Sequence, residues 1–79
     1  MTATVLRTTT EEIWREVLKV DVDDDTDFFN QGGHSFAALR IIALLNDHYD
    51  GKASLRVLFD YPRFGDFVTA LGKDLGIEA

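Results

Sequence analysis

Apolar residues recur at helical spacing in three long segments of the chain, and none of these segments alternates with the period of a strand. The first segment carries one apolar stripe: Ile13, Trp14, Val17 and Leu18. Thr9 and Glu12 have the spacing of a capping box, so we expect the first helix to begin at Thr9 and to end near Lys19 or Val20. Residues 1–8 are then a flexible lead.

A second helix is predicted from Ser35, a residue type favoured at the N-cap, to about Tyr49. One arc of its helical wheel is wide enough to be the core face: Ala38, Ile41, Ile42, Leu45 and Tyr49. Other apolar residues fall outside that arc: Phe36, Ala37, Ala43 and Leu44. A helix this apolar around its circumference is buried on several sides or presents an apolar face to a partner protein.

Two more helices are predicted in the last third of the chain. After a stop signal at residues 50–52, a short helix covers residues 54–60, with three side chains directed inward: Leu55, Leu58 and Phe59. Pro62 ends this helix and suits the first turn of the last one. The last helix has its own apolar stripe: Phe64, Phe67, Val68 and Leu71. Gly72 or Gly76 would terminate it.

These helices predict an all-α fold, a small four-helix bundle of three main helices and one short helix. A long loop, residues 21–34, joins the first two main helices. Its five aspartates and two glycines disfavour regular structure. A loop of this length is unusual in so small a domain unless it is anchored or functional. At least one of Phe28 and Phe29 should enter the core, because exposing both would be costly.

The length and charge of the chain restrict its function. A chain of 79 residues forms one domain. Such a domain buries only about 60% of the surface that its unfolded chain exposes, so it has little room for a deep pocket beside its core. The net charge of −6 disfavours nucleic acid and anionic membranes as partners. It favours association with basic protein surfaces instead.

Cysteine is absent from the sequence, so the chain forms neither a disulfide framework nor a thiolate metal site. The first ten residues lack the apolar run of a secretory signal. The longest apolar stretch, residues 41–45, is far too short to span a bilayer. We therefore expect a cytoplasmic protein whose own side chains supply no thiol.

A hydrolytic active site at Ser35 lacks the partners that it would need. A nucleophilic serine requires a base at hydrogen-bonding distance. His34 is adjacent in sequence, where side chains usually diverge, and His48 lies at the far end of the same predicted helix. The residues around Ser35 also do not form the Gly-x-Ser-x-Gly elbow of sheet-based hydrolases.

The alternating aspartates of the loop suggest a calcium site but fail its pattern. A calcium loop needs Gly at its sixth position and Glu at its twelfth. Counted from Asp21, those positions hold Thr26 and Gly32. Counted from Asp23, they hold Phe28 and His34. The sequence therefore predicts a solvated acidic loop without a metal.

Ser35 has a simple interpretation as an N-cap, but that leaves Gly32 and Gly33 and the surplus apolar residues unexplained. The two glycines allow unusual backbone angles and remove side-chain bulk beside the hydroxyl. A phosphate esterified to Ser35 would meet the positive end of the helix dipole and its free amide groups. The pattern favours a serine that is presented to another macromolecule for modification.

Two blocks of sequence carry a family resemblance that covers most of the chain. The first is "DDTDFFNQGGHSFAALRI" and the second is "LRVLFDYP". With both blocks, the chain resembles the peptidyl carrier, or thiolation, domains of nonribosomal peptide synthesis, which are acyl-carrier-like. Gln31 departs from an apolar residue usual in the family, and Arg63 departs from a frequent Thr, so the last helix loses its usual cap. His34, where Asp is commoner in fatty-acid and polyketide carriers, favours a peptidyl carrier.

The resemblance implies a carrier domain at residues 9–75, followed by a tail at 76–79. Ser35 matches the serine that receives 4′-phosphopantetheine from coenzyme A, and Gly33 and His34 are the cofactor-binding residues beside it. The arm ends in a thiol that carries an aminoacyl or peptidyl group as a thioester, which accounts for a chain without cysteine. The resemblance implies no catalytic residue and no metal site in the chain itself.

The resemblance also implies partners for a monomeric carrier. A phosphopantetheinyl transferase with magnesium attaches the arm, an adenylation enzyme loads it, and condensation, tailoring or thioesterase enzymes use the cargo. We expect these enzymes to dock on one face around Ser35: Phe36, Ala37, Arg40, Leu44, Val57 and Tyr61. Core packing is the other interpretation of the apolar residues in this set.

Other functions remain open from the sequence. The chain could be an acyl carrier for a polyketide or fatty acyl chain, an unmodified helical interaction module, or a small serine hydrolase. Its start at Met1 fits a free-standing carrier as well as a module excised from a larger synthetase.

Overall fold

The computed structural model describes residues 3–49 and 53–76. These residues form four helices in chain order: α1 (Ala3–Leu18), α2 (Ser35–Tyr49), α3 (Leu55–Asp60) and α4 (Phe64–Leu75). Helix α2 packs against α1 and α3, and α4 packs against α1 and α3. The all-α prediction, with three main helices, one short helix and a long loop after the first, is confirmed.

Helix α1 begins earlier than the sequence indicated. It starts at Ala3, so the predicted start at Thr9 is wrong and residues 3–8 belong to the helix. Thr10 is fully buried, and its hydroxyl donates a hydrogen bond to the Leu6 carbonyl one turn earlier at 2.7 Å. The threonines therefore continue the helix instead of capping it. Lys19, with a φ of 61°, ends the helix close to the predicted position.

The core is centred on an aromatic cluster around Trp14 of α1. The indole ring lies 5.9 Å from the ring of Phe28 in the loop, 5.2 Å from Phe64 and 5.5 Å from Phe67, measured between centroids. All four side chains are fully buried. Phe28 is thus the residue that anchors the long loop, as predicted for at least one of the two phenylalanines.

Helix α2 contributes the other large part of the core. Its buried residues are Ala37, Ala38, Ile41, Ile42 and Leu45. Four of these belong to the predicted core arc, and the arc's last residue, Tyr49, is half-buried. Ala37 was predicted to lie outside the arc, but it packs into the core. The predicted stop signal at residues 50–52 lies outside the described residues.

Helix α3 is about one and a half turns long and begins after an N-cap serine. The Ser54 hydroxyl accepts a hydrogen bond from the Val57 N–H at 3.4 Å, which fixes the first turn. Val57 and Leu58 are buried, whereas Phe59 is 43% exposed. The prediction that Phe59 points inward is therefore wrong, because Val57 takes that place in the core.

The long loop is joined to the connection between α3 and α4 by an isolated antiparallel bridge of Asp27 with Arg63. Its two backbone hydrogen bonds run from Phe28 N–H to the Pro62 carbonyl (2.8 Å) and from Phe64 N–H to the Thr26 carbonyl (2.8 Å). The bridge ties the loop to a part of the chain that is distant in sequence. It is the only β-type pairing within residues 3–49 and 53–76.

The loop also caps α4. Arg63 occupies the N-cap position, but its side chain forms no capping hydrogen bond, as the sequence indicated. Pro62 lies before the helix and not in its first turn. The first two N–H groups of α4 instead donate to the loop, from Phe64 as above and from Gly65 to the Asp24 carbonyl at 3.1 Å. A Cβ on Gly65 would lie 3.3 Å from Asp24, so glycine permits this close approach.

Helix α4 ends at a glycine in the left-handed conformation. Gly76, with a φ of 76°, occupies the C-cap position, and its N–H donates to the Gly72 and Lys73 carbonyls. Gly72 is buried within the helix. Of the two glycines that the sequence proposed as terminators, Gly76 is the one that ends the helix.

Candidate functional site

Ser35 is the first residue of α2 and is exposed to solvent. The carbonyl of His34 accepts the first intrahelical hydrogen bond, from the Ala38 N–H at 2.9 Å. His34 therefore holds the N-cap position, and the prediction that Ser35 caps the helix is wrong by one residue. Among the described residues, the hydroxyls of Thr10, Thr26, Ser54 and Thr69 form hydrogen bonds, but that of Ser35 forms none.

The backbone beside Ser35 offers donors to an anion. The N–H groups of Ser35, Phe36 and Ala37 precede the first intrahelical donor and have no acceptor among the described residues. They lie at the positive end of a 15-residue helix. A phosphodiester on the Ser35 oxygen would sit beside three free amides and a favourable dipole, so the residues present fit such a group.

The loop reaches Ser35 through a tight turn that Asp27 organises. Asp27 Oδ1 accepts hydrogen bonds from the Phe29 N–H at 2.9 Å and from the Asn30 N–H at 3.2 Å. The Asp27 carbonyl also accepts one from the Gln31 N–H at 3.2 Å. This is the arrangement of an Asx turn. The aspartate thus shapes the backbone, a role that its place in an acidic run did not indicate.

Gly33 closes the turn against Phe28. The Gly33 N–H donates to the Phe28 carbonyl at 3.0 Å. A Cβ on Gly33 would lie 2.4 Å from that carbonyl oxygen and 2.7 Å from ring atoms of Phe28. The space left by the missing side chain is therefore occupied by Phe28, which corrects the interpretation that Gly33 clears room around the Ser35 hydroxyl. Gly32 has a φ of 81°, a conformation that favours glycine.

Two exposed aromatic rings link the turn to α3. Phe29 is 46% exposed, and its ring stacks on the ring of Phe59 at 6.1 Å with an interplanar angle of 18°. The buried Phe28 ring meets Phe29 edge-on at 5.1 Å. The sequence did not predict this pair, because a six-residue helix is too short for its periodicity to show whether Phe59 faces the core.

The predicted docking residues divide into surface and core. Phe36 is 74% exposed, Tyr61 is 47% exposed and Arg40 is exposed, while Leu44 is half-buried. The other two members are core residues, and their assignment to a docking face is wrong: Ala37 and Val57, each 9% exposed. An exposed leucine that the prediction omitted, Leu39, lies one turn beyond Phe36, and the same helical wheel could have identified it.

The acidic side chains of the loop form turns and ion pairs. Asp23 Oδ1 accepts hydrogen bonds from the Asp25 N–H at 2.9 Å and from the Thr26 hydroxyl at 3.2 Å. Asp24 pairs with Arg7, whose guanidinium lies 5.3 Å from the centroid of the Phe64 ring. No group of three or more metal-ligating side chains occurs in the described parts of the chain.

Neither histidine supplies a base for Ser35. His34 and His48 are exposed, and no hydrogen bond joins either side chain to the serine within the described ranges. Within the described residues, the Ser35 hydroxyl has no oriented base of the kind that a serine nucleophile requires for its own catalysis.

The chain is similar to proteins of known family. Residues 9–71 match the family described as "Phosphopantetheine attachment site". PF 1022-synthetase from Rosellinia sp. is 36% identical over 67 residues, which cover 85% of this chain and 2% of the relative. Gramicidin S synthase 2 from Brevibacillus brevis is 40% identical over 62 residues, 75% of this chain and 1% of the relative. The chain thus spans a very small part of these relatives.

A solved structure has a similar fold. It is that of BlmI from Streptomyces verticillus, described as a type-II acyl-carrier-protein involved in bleomycin biosynthesis. The two chains share 27% sequence identity with a TM-score of 0.83, and the match covers 92% of this chain and 89% of the other. Separately, none of the helices described here is both long and apolar enough to cross a membrane.

Proposed function

The chain belongs to the phosphopantetheine attachment site family, and from this membership we propose that Ser35 is the residue to which 4′-phosphopantetheine is esterified. One observation carries the assignment: the Ser35 hydroxyl is exposed and makes no hydrogen bond to a described residue, at a helix terminus with three free amides. The only other serine, Ser54, is engaged in capping α3.

The attachment is a phosphoryl transfer that a separate transferase performs with magnesium. The Ser35 oxygen forms a bond to the phosphorus that bears the pantetheine arm. The bond from that phosphorus to the rest of coenzyme A breaks, and the adenosine bisphosphate half leaves. The serine proton passes to a base of the transferase, since no described side chain forms a hydrogen bond to the Ser35 hydroxyl. The free amides at the start of α2 then stabilise the charge of the phosphodiester.

When bound, the prosthetic group supplies the thiol that this cysteine-free chain lacks. We propose that the cargo is an aminoacyl or peptidyl group held there as a thioester, in nonribosomal peptide synthesis. The support is the similarity to synthases and synthetases of peptides, of which gramicidin S synthase 2 is one. An acyl chain is the second candidate, and the fold of a type-II acyl-carrier-protein supports it.

The carrier does no chemistry of its own in this proposal. An adenylation enzyme loads the arm, and condensation, tailoring or thioesterase enzymes use the cargo. These enzymes and the transferase dock on the exposed members of the predicted docking set, which are Phe36, Arg40 and Tyr61, together with the half-buried Leu44. The Arg40 guanidinium lies 4.0 Å from the Glu16 carboxylate of α1, and this exposed pair leaves it accessible to a partner.

Intact mass measurement tests the attachment. The protein is incubated with coenzyme A, magnesium and a promiscuous phosphopantetheinyl transferase. We expect a gain of one phosphopantetheine in the natural chain and in Ser54→Ala, and none in Ser35→Ala. Absence of any gain in the natural chain would overturn the proposal. Screening the modified protein with adenylation enzymes and amino acids, and in parallel with acyl-loading enzymes, separates the two classes of cargo.

A further inference from the structure

Among the described residues, the Asp27 carboxylate is the one side chain that forms hydrogen bonds to the turn leading to Ser35. A single oxygen, Oδ1, accepts two backbone hydrogen bonds, from Phe29 at 2.9 Å and Asn30 at 3.2 Å. No other described side chain hydrogen-bonds to residues 28–34. Beyond the anchored Phe28, the backbone of this segment therefore depends on this carboxylate and on hydrogen bonds within the turn.

The two ends of the turn are fixed more firmly than its tip. At the start, Phe28 is buried in the core and its N–H donates to the Pro62 carbonyl at 2.8 Å. At the end, Gly33 donates to the Phe28 carbonyl at 3.0 Å. The tip has only longer backbone bonds, from Gln31 to Asp27 at 3.2 Å and from Gly32 to Phe29 at 3.3 Å. The shortest contact at the tip is the 2.9 Å bond to the Asp27 carboxylate.

We propose that Asp27 is a positioning residue for the modification of Ser35. Its carboxylate caps the turn, and the capped turn places Gly33 in contact with Phe28. This contact fixes the path by which the backbone enters α2 at Ser35. The same cap orients Phe29, whose ring stacks on Phe59 at the surface. Asp27 acts as a hydrogen-bond acceptor and not through its charge. The inference rests on the proposed function of Ser35.

Substitutions that separate acceptor from charge test this role. Asp27→Asn keeps an oxygen that can accept both N–H groups but loses the charge, whereas Asp27→Ala loses both. Asp21→Asn is the matched control, because Asp21 is an exposed aspartate of the same loop and no hydrogen bond or ion pair to its carboxylate occurs in the described residues. The rate of phosphopantetheine transfer to Ser35 is measured for each variant with coenzyme A and one transferase.

We expect Asp27→Ala to lower kcat/KM for transfer about tenfold, since displacing a reacting group by around an ångström can cost up to two orders of magnitude. The kcat/KM values of Asp27→Asn and Asp21→Asn should stay within about twofold of that of the natural chain. Asp27→Asn keeps the cap of the turn, and Asp21→Asn does not alter it. An equal loss in Asp27→Asn and Asp27→Ala would overturn the proposal, because it would mean that charge is what matters.

Amide hydrogen exchange gives a readout that does not depend on the transferase. In Asp27→Ala, exchange should quicken at Phe29, Asn30 and Gly33, while core amides near Trp14 keep their protection. Unchanged exchange at the turn would overturn the inference. If the natural chain is modified and Asp27→Ala is modified equally fast, Asp27 has no positioning role although Ser35 is the attachment site. If the natural chain itself is not modified, the proposed function fails instead, and the exchange result still decides whether Asp27 holds the turn.

Discussion

Gly33 lies so close to Phe28 that a Cβ on the glycine would be 2.4 Å from the Phe28 carbonyl oxygen. Phe28 cannot move away from such a group, because its ring is fully buried against Trp14 and its N–H donates a hydrogen bond to the Pro62 carbonyl. The residue two positions before Ser35 is thus packed on the residue that anchors the whole loop. This contact connects the core to the candidate attachment site.

Gly33→Ala should therefore disturb both stability and modification. The added methyl group overpacks the turn, which typically costs about 1–3 kcal/mol. We expect a lower denaturation midpoint in urea and slower transfer of phosphopantetheine to Ser35. Gly76→Ala is the comparison, because nothing lies within 4 Å of a Cβ there and the residue is far from Ser35 in sequence. That variant should lose stability through its positive φ but keep its modification rate.

The two phenylalanines of the loop should differ sharply in their contribution to stability. Phe28→Ala removes a fully buried ring, and such changes cost about 3–5 kcal/mol. Because a domain of this size is stable by only about 5 kcal/mol, this variant should keep at most about 2 kcal/mol and lose part of its helical signal in circular dichroism. Phe29→Ala removes a ring that is 46% exposed and should cost about 1 kcal/mol. Equal losses would contradict the assignment of Phe28 as the anchor.

Arg63→Thr should stabilise the protein. A threonine at the N-cap of α4 can accept a hydrogen bond from the N–H of Asp66, which the arginine leaves without a side-chain cap. The expected gain is about 0.5–1 kcal/mol, and the exposed pair of Arg63 with Asp25 at 4.0 Å contributes little. The urea midpoint should rise with an unchanged slope. Arg63→Ala, which loses the pair without adding a cap, should not show this rise.

Phe36→Ser tests the docking face. The ring is 74% exposed, so its removal should leave the free energy of unfolding within about 0.5 kcal/mol of the natural value. If partner enzymes bind this ring, kcat/KM for modification or loading should fall several-fold. Val5→Ser on α1, where the side chain is 55% exposed, controls for the loss of any surface apolar group and should not affect transfer.

Val57→Ser probes a residue that the sequence placed on the docking face and the structure places in the core. A serine hydroxyl there would be buried without an evident partner, at a cost of about 2 kcal/mol. We expect loss of stability in thermal unfolding and, for the fraction that remains folded, a normal modification rate. A variant that is as stable as the natural chain but is modified more slowly would indicate that Val57 takes part in docking.

Long amphipathic patterns predicted the fold well. The stripes around Trp14, on α2 and on α4 identify buried faces because each repeats over several turns. The start of α2 was predicted at the correct residue and the end of α1 to within two residues, since the acidic, glycine-containing loop between them carries strong boundary signals. The six-residue α3 was predicted in position but not in orientation, because four of its six residues are apolar and one turn and a half is too short for a periodicity to define a face.

Features that depend on contacts distant in sequence could not be predicted. The threonine segment of α1 was predicted to cap the helix, because the sequence pattern does not show the hydrogen bond from the Thr10 hydroxyl to the Leu6 carbonyl. The close approach of Gly33 to Phe28 and the bridge between the loop and residue 63 exist only once the chain is folded. At the site, the position of Ser35 on α2 followed from sequence, whereas the turn held by Asp27 required the structure.

The capping of α4 by carbonyl groups of the loop makes two parts of the chain into one cooperative unit. If the loop detached, the N–H groups of Phe64 and Gly65 would lose their acceptors, and Arg63 has no side-chain cap to replace them. Fraying of the last helix and release of the loop are thus one equilibrium, and exchange of those two amides should report on both. A segment that the sequence predicted only as an irregular acidic loop is thermodynamically part of the final helix.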